Sequence, residues 1–407
     1  MGPDVIAALR RLPGAKPVLD ALSAEAGVHV VGGAVRDVLL GRRPSEVDLV
    51  VAGDAPVLAR RLAARVGAGV RVHERFGTAT VAIGDTTFDL ASARRETYPR
   101  PGALPEVILG ASLLEDLQRR DFSVNAIAVE IVTGRVTAHA AALDDLEARR
   151  LRVLHAASFF DDPTRLLRLC RYAGRLDFAI EAGTGRQMAA ALEAGTLATV
   201  SGERLGRELR LAAADAQPWV ALTLAGTGVG AAALGRFDAD EDLLTRALEL
   251  CPADGRPDLL VLAVALRDED PAAVEPRLAA LGFPRDEIDR VARSVGAARR
   301  LAESVAGSAA PSLIAAQLRS EPVEAVALAG AVAGTPGAAG TVRRWLDRQR
   351  HVRPLLDGRD LEAAGLRGPG IGRGLRAAMA VALDDPAAGR DRQLAAALAA
   401  GGDQPSE

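Results

Sequence analysis

The chain has 407 residues and a formal net charge of −3; 49% of its residues are hydrophobic and only 3% are aromatic. The length predicts about two to four domains, or one head with a helical extension, and the near-balanced charge excludes a global basic field, so RNA would need a local arginine patch. Two cysteines and five histidines without metal spacing exclude a disulfide framework and a cysteine-based zinc site, and the lack of a long apolar run or a leader pattern predicts a cytoplasmic soluble protein.

The first part of the chain alternates between strand and helix patterns. Residues 1–27 are predicted to form a helical lead, and the clearest helical pattern after it is 55–66. The predicted strands are 28–31, 47–51, 70–72, 78–83, 88–91 and 124–129. This pattern predicts an α+β fold in which a head contains a mixed sheet of about five strands.

After residue 149 the strand signal fades, and Ala, Leu and Arg recur at helical spacing. We therefore expect an all-α neck, body and tail. The predicted domains are a head at 1–145, a neck at 146–215, a body at 216–335 and a tail at 336–407. Two Gly/Ala-rich patches, 225–235 and 334–340, are predicted to connect helices, and 397–407 is predicted to be disordered.

The first candidate site is a Gly-Gly turn after an apolar strand. Gly32 and Gly33 would let backbone amides approach a phosphate without side chains in the way. Glu46 and Asp48 follow at i and i+2 on the next predicted strand, so both carboxylates point to one face and can reach divalent metal ions. The alternative for these motifs is a plain turn and a pair of solvated carboxylates.

Three later segments add candidate residues in a definite order. Asp89 lies on a strand that leads into a Pro/Gly-rich loop, 95–110. Arg119, Arg120 and Asp121 precede Asn125, and adjacent arginines beside an acid suit phosphate and sugar hydroxyls. Asp162 and Arg165 stand at i and i+3 near a helix start at Pro163, and Arg168, Arg171 and Arg175 continue one basic face. The alternatives are a salt-bridged helix end and a capped helix with a solvated face.

In this order and spacing, the motifs of residues 28–210 resemble those of the CCA-adding enzymes and bacterial poly(A) polymerases, which are tRNA nucleotidyltransferases of the polymerase-beta-like superfamily. Residues 357–361 and 370–372 resemble the family's C-terminal segment more weakly. The resemblance implies template-independent addition of CMP and AMP from CTP and ATP to tRNA or other RNA 3′ ends. It implies two Mg²⁺ ions as cofactors, and no membrane or protein partner is evident.

The resemblance also implies roles for individual residues. Glu46, Asp48 and Asp89 would be the catalytic metal ligands, and 95–110 would be a mobile loop beside the nucleotide pocket. The neck at 146–215 would recognise the nucleotide base through Asp162 and Arg165, and the tail at 336–407 would bind RNA. The implied nucleotide-binding residues are Gly32, Gly33, Arg36, Arg119, Arg120, Asp121, Asn125, Asp162, Arg165, Arg168 and Arg171.

The chain departs from the family pattern at two acids. Glu46 stands where the first metal ligand is normally Asp, and Asp161 stands where the base-recognition motif normally begins with Glu. Each change moves a carboxylate by about 1.5 Å, and a misplacement of that size can cost about a hundredfold in rate. Three alternatives of the same chemistry therefore stay open, namely A-adding, CC-adding or poly(A) polymerase activity, as does a catalytically weakened RNA-binding paralogue. The sequence does not determine the oligomeric state.

Overall fold

The structure is a computed structural model that describes residues 1–44, 46–84, 86–215 and 218–402. The chain divides into two compact units, Met1–Leu205 and Gly206–Glu407, and the division falls within one helix. Each unit is described by itself below.

The first unit contains all the strands that the structure describes. They are β1 Val28–Val31, β2 Val47–Val51, β3 Gly69–His73, β4 Thr78–Ile83, β5 Thr86–Ser92, β6 Arg94–Thr97, β7 Glu106–Leu109, β8 Ile127–Glu130, β9 Val136–Ala138, β10 Arg150–Leu151 and β11 Ala179–Ile180. Its helices are α1 Gly2–Leu9, α2 Ala15–Ala21, α3 Gly33–Leu39, α4 Ala55–Val66, α5 Leu113–Gln118, α6 Ala142–Glu147, α7 Ser158–Asp161, α8 Thr164–Leu176 and α9 Ala182–Glu193, and α10 Gly202–Ala213 contains the division. The α+β fold class is confirmed.

The main sheet has seven strands in the order β3-β4-β5-β2-β1-β8-β9, so the expected number of about five was too low. The sheet is mixed as predicted, because β2 and β5 run parallel while the other pairs in it are antiparallel. β9 was missed because three residues are too few to show an alternating pattern. The strand predicted at 124–129 begins later, at Ile127, because Ser123–Asn125 form a 3₁₀ turn.

The segment predicted as one loop, 95–110, is partly a hairpin. β6 and β7 pair antiparallel with Arg94 opposite Leu109, which leaves only 98–105 between them without strand structure. Neither strand is fully buried on one face, and Ile108 and Leu109 are both 46% exposed. A two-stranded ribbon with no buried face gives no alternation of polar and apolar residues, so the sequence pattern did not reveal it.

The core of the first unit lies around the central strands. All four residues of β1 and of β8 are buried, which explains why both strands are nearly continuous apolar runs. The helix predicted at 55–66 is confirmed as α4. The Asp54 side chain accepts a hydrogen bond from the Val57 amide, and Gly67 ends the helix in the left-handed conformation.

The second unit consists of helices in its described part. They are α11 Pro218–Gly226, α12 Val229–Leu234, α13 Glu241–Leu250, α14 Pro257–Ala265, α15 Pro271–Ala280, α16 Arg285–Ala306, α17 Pro311–Leu318, α18 Val323–Ala333, α19 Pro336–Asp347, α20 Gly358–Ala363, α21 Pro369–Asp384 and α22 Arg390–Gly402. No described helix is long and apolar enough to cross a membrane.

Three boundary predictions in this unit were wrong. The patch 225–235 contains α12, whose ends are set by Gly228 and Gly235 with positive φ, and most of 334–340 belongs to α19. Helix α22 continues to Gly402, so 397–402 is ordered, while 403–407 lies outside the described residues. In each case the alanine-rich sequence forms helix, because alanine has the highest helix propensity.

Close contact between α21 and α22 depends on glycine. A Cβ on Gly374 would lie 3.1 Å from the Ala397 carbonyl oxygen and 2.9 Å from Leu361 Cδ1, so this position has no room for a side chain. Gly372, one half-turn away in the same helix, has room, since a Cβ there would lie 3.6 Å from Arg376 Nη1. Both glycines thus have helical backbone, but only Gly374 is packed too closely for a side chain.

We expect Gly374→Ala to lower the free energy of unfolding of the α20–α22 cluster by about 1–3 kcal/mol through overpacking. Gly372→Ala should instead raise it by up to about 1 kcal/mol, because alanine loses less backbone entropy in a helix. Hydrogen-exchange protection of α21 and α22 measures both changes. Equal effects of the two substitutions would contradict the packing explanation.

Candidate active site

The Gly-Gly turn between β1 and α3 requires glycine at its first position. Gly32 has φ 68° and ψ −129°, a backbone conformation that other residues rarely adopt. A Cβ there would lie 2.7 Å from Arg120 Nη1, so the guanidinium lies against the bare backbone. Gly33 is already helical, and a Cβ on it would make only an ordinary contact with Arg36. The first glycine is therefore demanded by local structure, while a role for Gly33 toward a ligand stays a prediction.

Two of the three predicted metal carboxylates lie side by side. β2 and β5 are parallel neighbours with Asp48 directly opposite Asp89, so the side chains point to the same face of the sheet. Thr80 Oγ1 on β4 donates a hydrogen bond of 2.5 Å to Asp89 Oδ1 and orients that carboxylate. Glu46 immediately precedes β2 and is exposed. It lies two positions before Asp48, the spacing of residues on one face of a strand.

The electrostatics of this pair favour a cation. Burial raises the pKa of Asp48; the nearby Arg120 guanidinium opposes the rise, and the negative charges of Asp89 and Glu46 add to it. An ionised Asp48 is thus poorly compensated by the protein alone. Among the described residues, no three His, Cys, Asp or Glu side chains are grouped closely enough to hold a metal ion. The structure brings Asp48 and Asp89 together, and Glu46 as a third ligand stays a prediction.

The adjacent arginines Arg119 and Arg120 share one buried acid. Asp116 is completely buried and lies 2.9 Å from Arg119 Nη2 and 3.3 Å from Arg120 Nη2. Arg119 also pairs with Glu96 at 2.9 Å, so carboxylates hold it on two sides. Arg120 differs, because its Nε has no hydrogen-bond partner among the described residues and its charge acts on Asp48. Arg120 is the arginine placed between the Gly32 turn and the carboxylates.

Asp121 lies inside the protein rather than on its surface. It accepts hydrogen bonds from Asn125 Nδ2 at 2.9 Å and from Arg168 Nη2 at 2.6 Å. Burial would raise the pKa of Asp121, but the Arg168 charge and the hydrogen bonds from Asn125 and Arg168 hold it well below its usual range. In this arrangement Asp121 positions other side chains.

Arg36 continues the same buried network. It is 1% exposed, donates to Asn125 Oδ1 at 2.6 Å and pairs with Asp37 at 2.7 Å. Asp37 therefore accepts from Arg36 inside helix α3. The structure does not bring Arg36 to the surface where a triphosphate would approach.

Asp162 and Arg165 are held by different protein partners. Arg165 is 4% exposed and donates to Ser158 Oγ at 2.7 Å and to the Arg119 carbonyl oxygen at 2.8 Å. Asp162, partly exposed before α8, accepts from Thr164 and from Arg204 Nη2 at 2.8 Å. Each side chain thus has its own protein partners, and their joint role at a base edge stays a prediction.

The sequence assigned no ligand role to two residues of this region, Arg204 and Tyr98. Arg204 donates to the Gly102 carbonyl oxygen and to Asp162, and so joins the 98–105 segment to the start of α8. Tyr98 donates to Glu96 at 3.3 Å, and burial raises its pKa to about 12, with Glu96 and Asp162 adding to the rise. The only sequence signal for these residues was their place in the Pro/Gly-rich loop and in the helix at 202–213.

A comparison with protein-family models identifies residues 28–152 as a Poly A polymerase head domain. Among curated proteins, the A-adding tRNA nucleotidyltransferase of Aquifex aeolicus is 46% identical over 187 residues, which are 45% of this chain and 23% of that protein. The CC-adding tRNA nucleotidyltransferase of Deinococcus radiodurans is 39% identical over 221 residues, which are 52% of this chain and 58% of that protein. The matches thus span less than two thirds of either relative.

Solved structures match a larger part of the chain. A CCA-adding enzyme in an apo form aligns with a TM-score of 0.82 over 98% of this chain and 96% of its own, at 24% identity. The Thermotoga maritima CCA-adding enzyme complexed with tRNA aligns with a TM-score of 0.78 over 98% of each chain, at 23% identity. These likenesses concern the fold, and together with the family match they confirm the resemblance expected from the motifs: residues 28–152 match the Poly A polymerase head domain, and the chain has the fold of the CCA-adding enzymes.

Proposed function

We propose that this chain is a Mg²⁺-dependent, template-independent nucleotidyltransferase that adds CMP and AMP from CTP and ATP to tRNA 3′ ends in the cytoplasm. The observation that carries the proposal is the Asp48–Asp89 pair on parallel strands, with Arg120 and the Gly32 turn beside it, within a Poly A polymerase head domain. The relatives named for A-adding and CC-adding activity support the substrate class.

The donor set fits a hard divalent cation. Asp48 and Asp89 supply carboxylate oxygens, which Mg²⁺ prefers, and the raised pKa of Asp48, caused first by its burial, means that a cation would stabilise the ionised form. Glu46 would add a third carboxylate from the same strand face. When bound, the metal ions would favour attack by an RNA 3′-hydroxyl on the α-phosphate and departure of pyrophosphate.

The chain's own residues would orient the nucleotide. The bare Gly32 backbone leaves room for the Arg120 guanidinium, which would bind phosphate oxygens beside the turn. Asp162 is the polar group available to a base edge, and the Arg204 contact fixes its orientation. Arg119, Asp121 and Arg165 support these groups from inside the protein, where they exclude water and hold the geometry.

The scope of nucleotide addition has one main alternative. Three relatives, one 46% identical and two 40% identical, are named A-adding enzymes. This favours addition of AMP alone as the second candidate. The purified protein can be incubated with labelled CTP or ATP and with three tRNAs: one that lacks the CCA end, one that ends in CC and one with a complete CCA end. The pattern of incorporation separates CCA-adding, A-adding, CC-adding and poly(A) activities. No incorporation with any tRNA or nucleotide would favour the weakened RNA-binding paralogue.

The first prediction concerns the metal site. Asp48→Asn should abolish nucleotide addition while tRNA binding persists. Because the pKa of Asp48 is raised in the folded state, its ionised form destabilises the fold at neutral pH, so the variant should unfold at an equal or higher temperature without metal. Mg²⁺ should raise the unfolding temperature of the wild type but much less that of the variant.

Glu147→Gln, at an exposed acid of α6, is the control for loss of one negative charge and should behave as the wild type. Retained addition by Asp48→Asn, or an equal Mg²⁺ response in both proteins, would contradict the assignment of Asp48.

The second prediction concerns Glu46. If it is a metal ligand, Glu46→Gln keeps its size, removes its charge and should lose most of the activity, while Glu46→Asp should stay within several-fold. Initial rates over a range of Mg²⁺ concentrations measure this, since a lost ligand raises the Mg²⁺ requirement. Full activity of Glu46→Gln at low Mg²⁺ would leave only Asp48 and Asp89 as ligands.

The third prediction separates base recognition from support. Asp162→Asn should change the ratio of correct to incorrect nucleotides, because a base-edge contact contributes about 1–3 kcal/mol of discrimination. Arg165→Ala should mainly destabilise the fold by about 1–3 kcal/mol, because it leaves the buried partners Ser158 and the Arg119 carbonyl unsatisfied. Misincorporation assays and thermal unfolding of both variants measure the two effects, and a selective loss of fidelity in Arg165→Ala alone would reverse the assignment.

A further inference from the structure

Four arginines converge on the single ring of Tyr172 in α8. Their Cζ atoms lie 5.2 to 5.8 Å from the ring centroid. They are Arg36, Arg168, Arg171 and Arg175. Phe122 packs edge-on against the same ring at 5.8 Å, so the ring itself is held in place. We call these four arginines with Tyr172 the arginine cluster.

The cluster gathers four positive charges around one ring. Asp37 pairs with Arg36 and Asp121 pairs with Arg168. Within the described part of the chain, Arg175 forms no ion pair. Arg42 adds a further guanidinium at this end of α8, where it donates to the Arg175 and Leu176 carbonyl oxygens. Like charges at such separations repel, so a bound anion would stabilise the arrangement.

The cluster extends away from the carboxylates along the helix. Arg168 is the member beside the candidate active site, because it holds Asp121 and its charge acts on Asp48. Arg171 and Arg175 follow on the same face, about 4.5 Å and about 10 Å farther along the axis at 1.5 Å per residue. Arg171, Tyr172 and Arg175 are all partly exposed. A row of guanidiniums of this length spans more than one phosphate group.

We propose that Arg171, Arg175 and Arg42 bind the backbone phosphates of the RNA strand whose 3′ end is extended, with Tyr172 as the ring that holds the guanidiniums in place. Planar guanidiniums bind phosphate oxygens bidentately and stack on aromatic rings, which is the combination present here. The length of the row favours a polynucleotide over the triphosphate of one nucleotide. The proposal rests on the function proposed above.

The test is RNA binding without nucleotide. Fluorescence anisotropy of a labelled tRNA that lacks its CCA end gives the dissociation constant over a range of salt concentrations. Arg175→Gln should weaken binding several-fold and reduce the slope of log affinity against log salt by about 0.7, the value for one single-strand phosphate contact. Arg175→Lys keeps the charge and should retain the slope, and Arg42→Gln together with Arg175→Gln should lose more than either alone.

Arg186→Gln is the matched control, because Arg186 is an exposed arginine of α9 outside the arginine cluster. An unchanged affinity and slope in Arg175→Gln, or an equal loss in Arg186→Gln, would overturn the proposal. A raised KM for ATP or CTP with unchanged RNA binding would also overturn it, since the ligand would then be the triphosphate. If Arg175→Gln fails to fold, as judged by thermal unfolding, Arg42→Gln alone decides by the same criteria.

The same protein preparations distinguish this failure from failure of the proposed function. If the wild-type protein adds nucleotides and Arg175→Gln binds RNA as tightly as the wild type, only the role of the arginine cluster is rejected. If instead the wild-type protein adds no nucleotides, but Arg175→Gln lowers RNA affinity and its salt dependence, only the proposed activity is rejected.

Discussion

The candidate site depends on one buried chain of charged and polar groups, Arg36–Asn125–Asp121–Arg168. It ties the helix after the glycine turn to the 3₁₀ turn before β8 and to α8, three elements far apart in sequence. Arg36 and Asp121 are buried, while the Arg168 side chain is 33% exposed, so the two buried charges must keep their partners. Removing one partner of such a buried pair typically costs about 3–5 kcal/mol. The turn, the acidic strands and α8 therefore keep a common geometry as long as this network is intact.

The network divides the arginines into two groups. Arg36 and Arg165 are almost completely buried, and Arg119 is held by Asp116 and Glu96, so these three act on a ligand only through the residues that they position. Arg120 and Arg175 have donor atoms that the described protein does not use. The two phosphate-binding places that we propose are therefore the glycine turn and the outer end of α8, which fits a reaction that joins a nucleotide to a strand.

The carboxylates show the opposite imbalance. Asp48 and Asp89 are adjacent on neighbouring strands, and burial together with nearby negative charge disfavours ionisation of Asp48. Only Arg120 and Arg168 oppose this among the causes that act on Asp48. A site that is unfavourable for its own charge in the free protein is suited to a divalent cation, since the cation removes both the repulsion and the desolvation penalty.

The sequence by itself determined the elements whose pattern is local: the strands at 28–31, 47–51 and 78–83, the helix at 55–66, and the order of motifs that indicated the family. It also identified the chemical groups of the site, because a glycine turn, paired acids and adjacent arginines are visible as residue types and spacings. Only the tertiary structure decided which of these groups face a ligand. Arg168 and Asp121 are 47 residues apart, and Arg204 and Gly102 are 102 apart, so no local pattern indicates these contacts. A guanidinium has the same intrinsic preference for a carboxylate of the protein as for a phosphate of a ligand, and its partner is set by which acid the fold brings within reach.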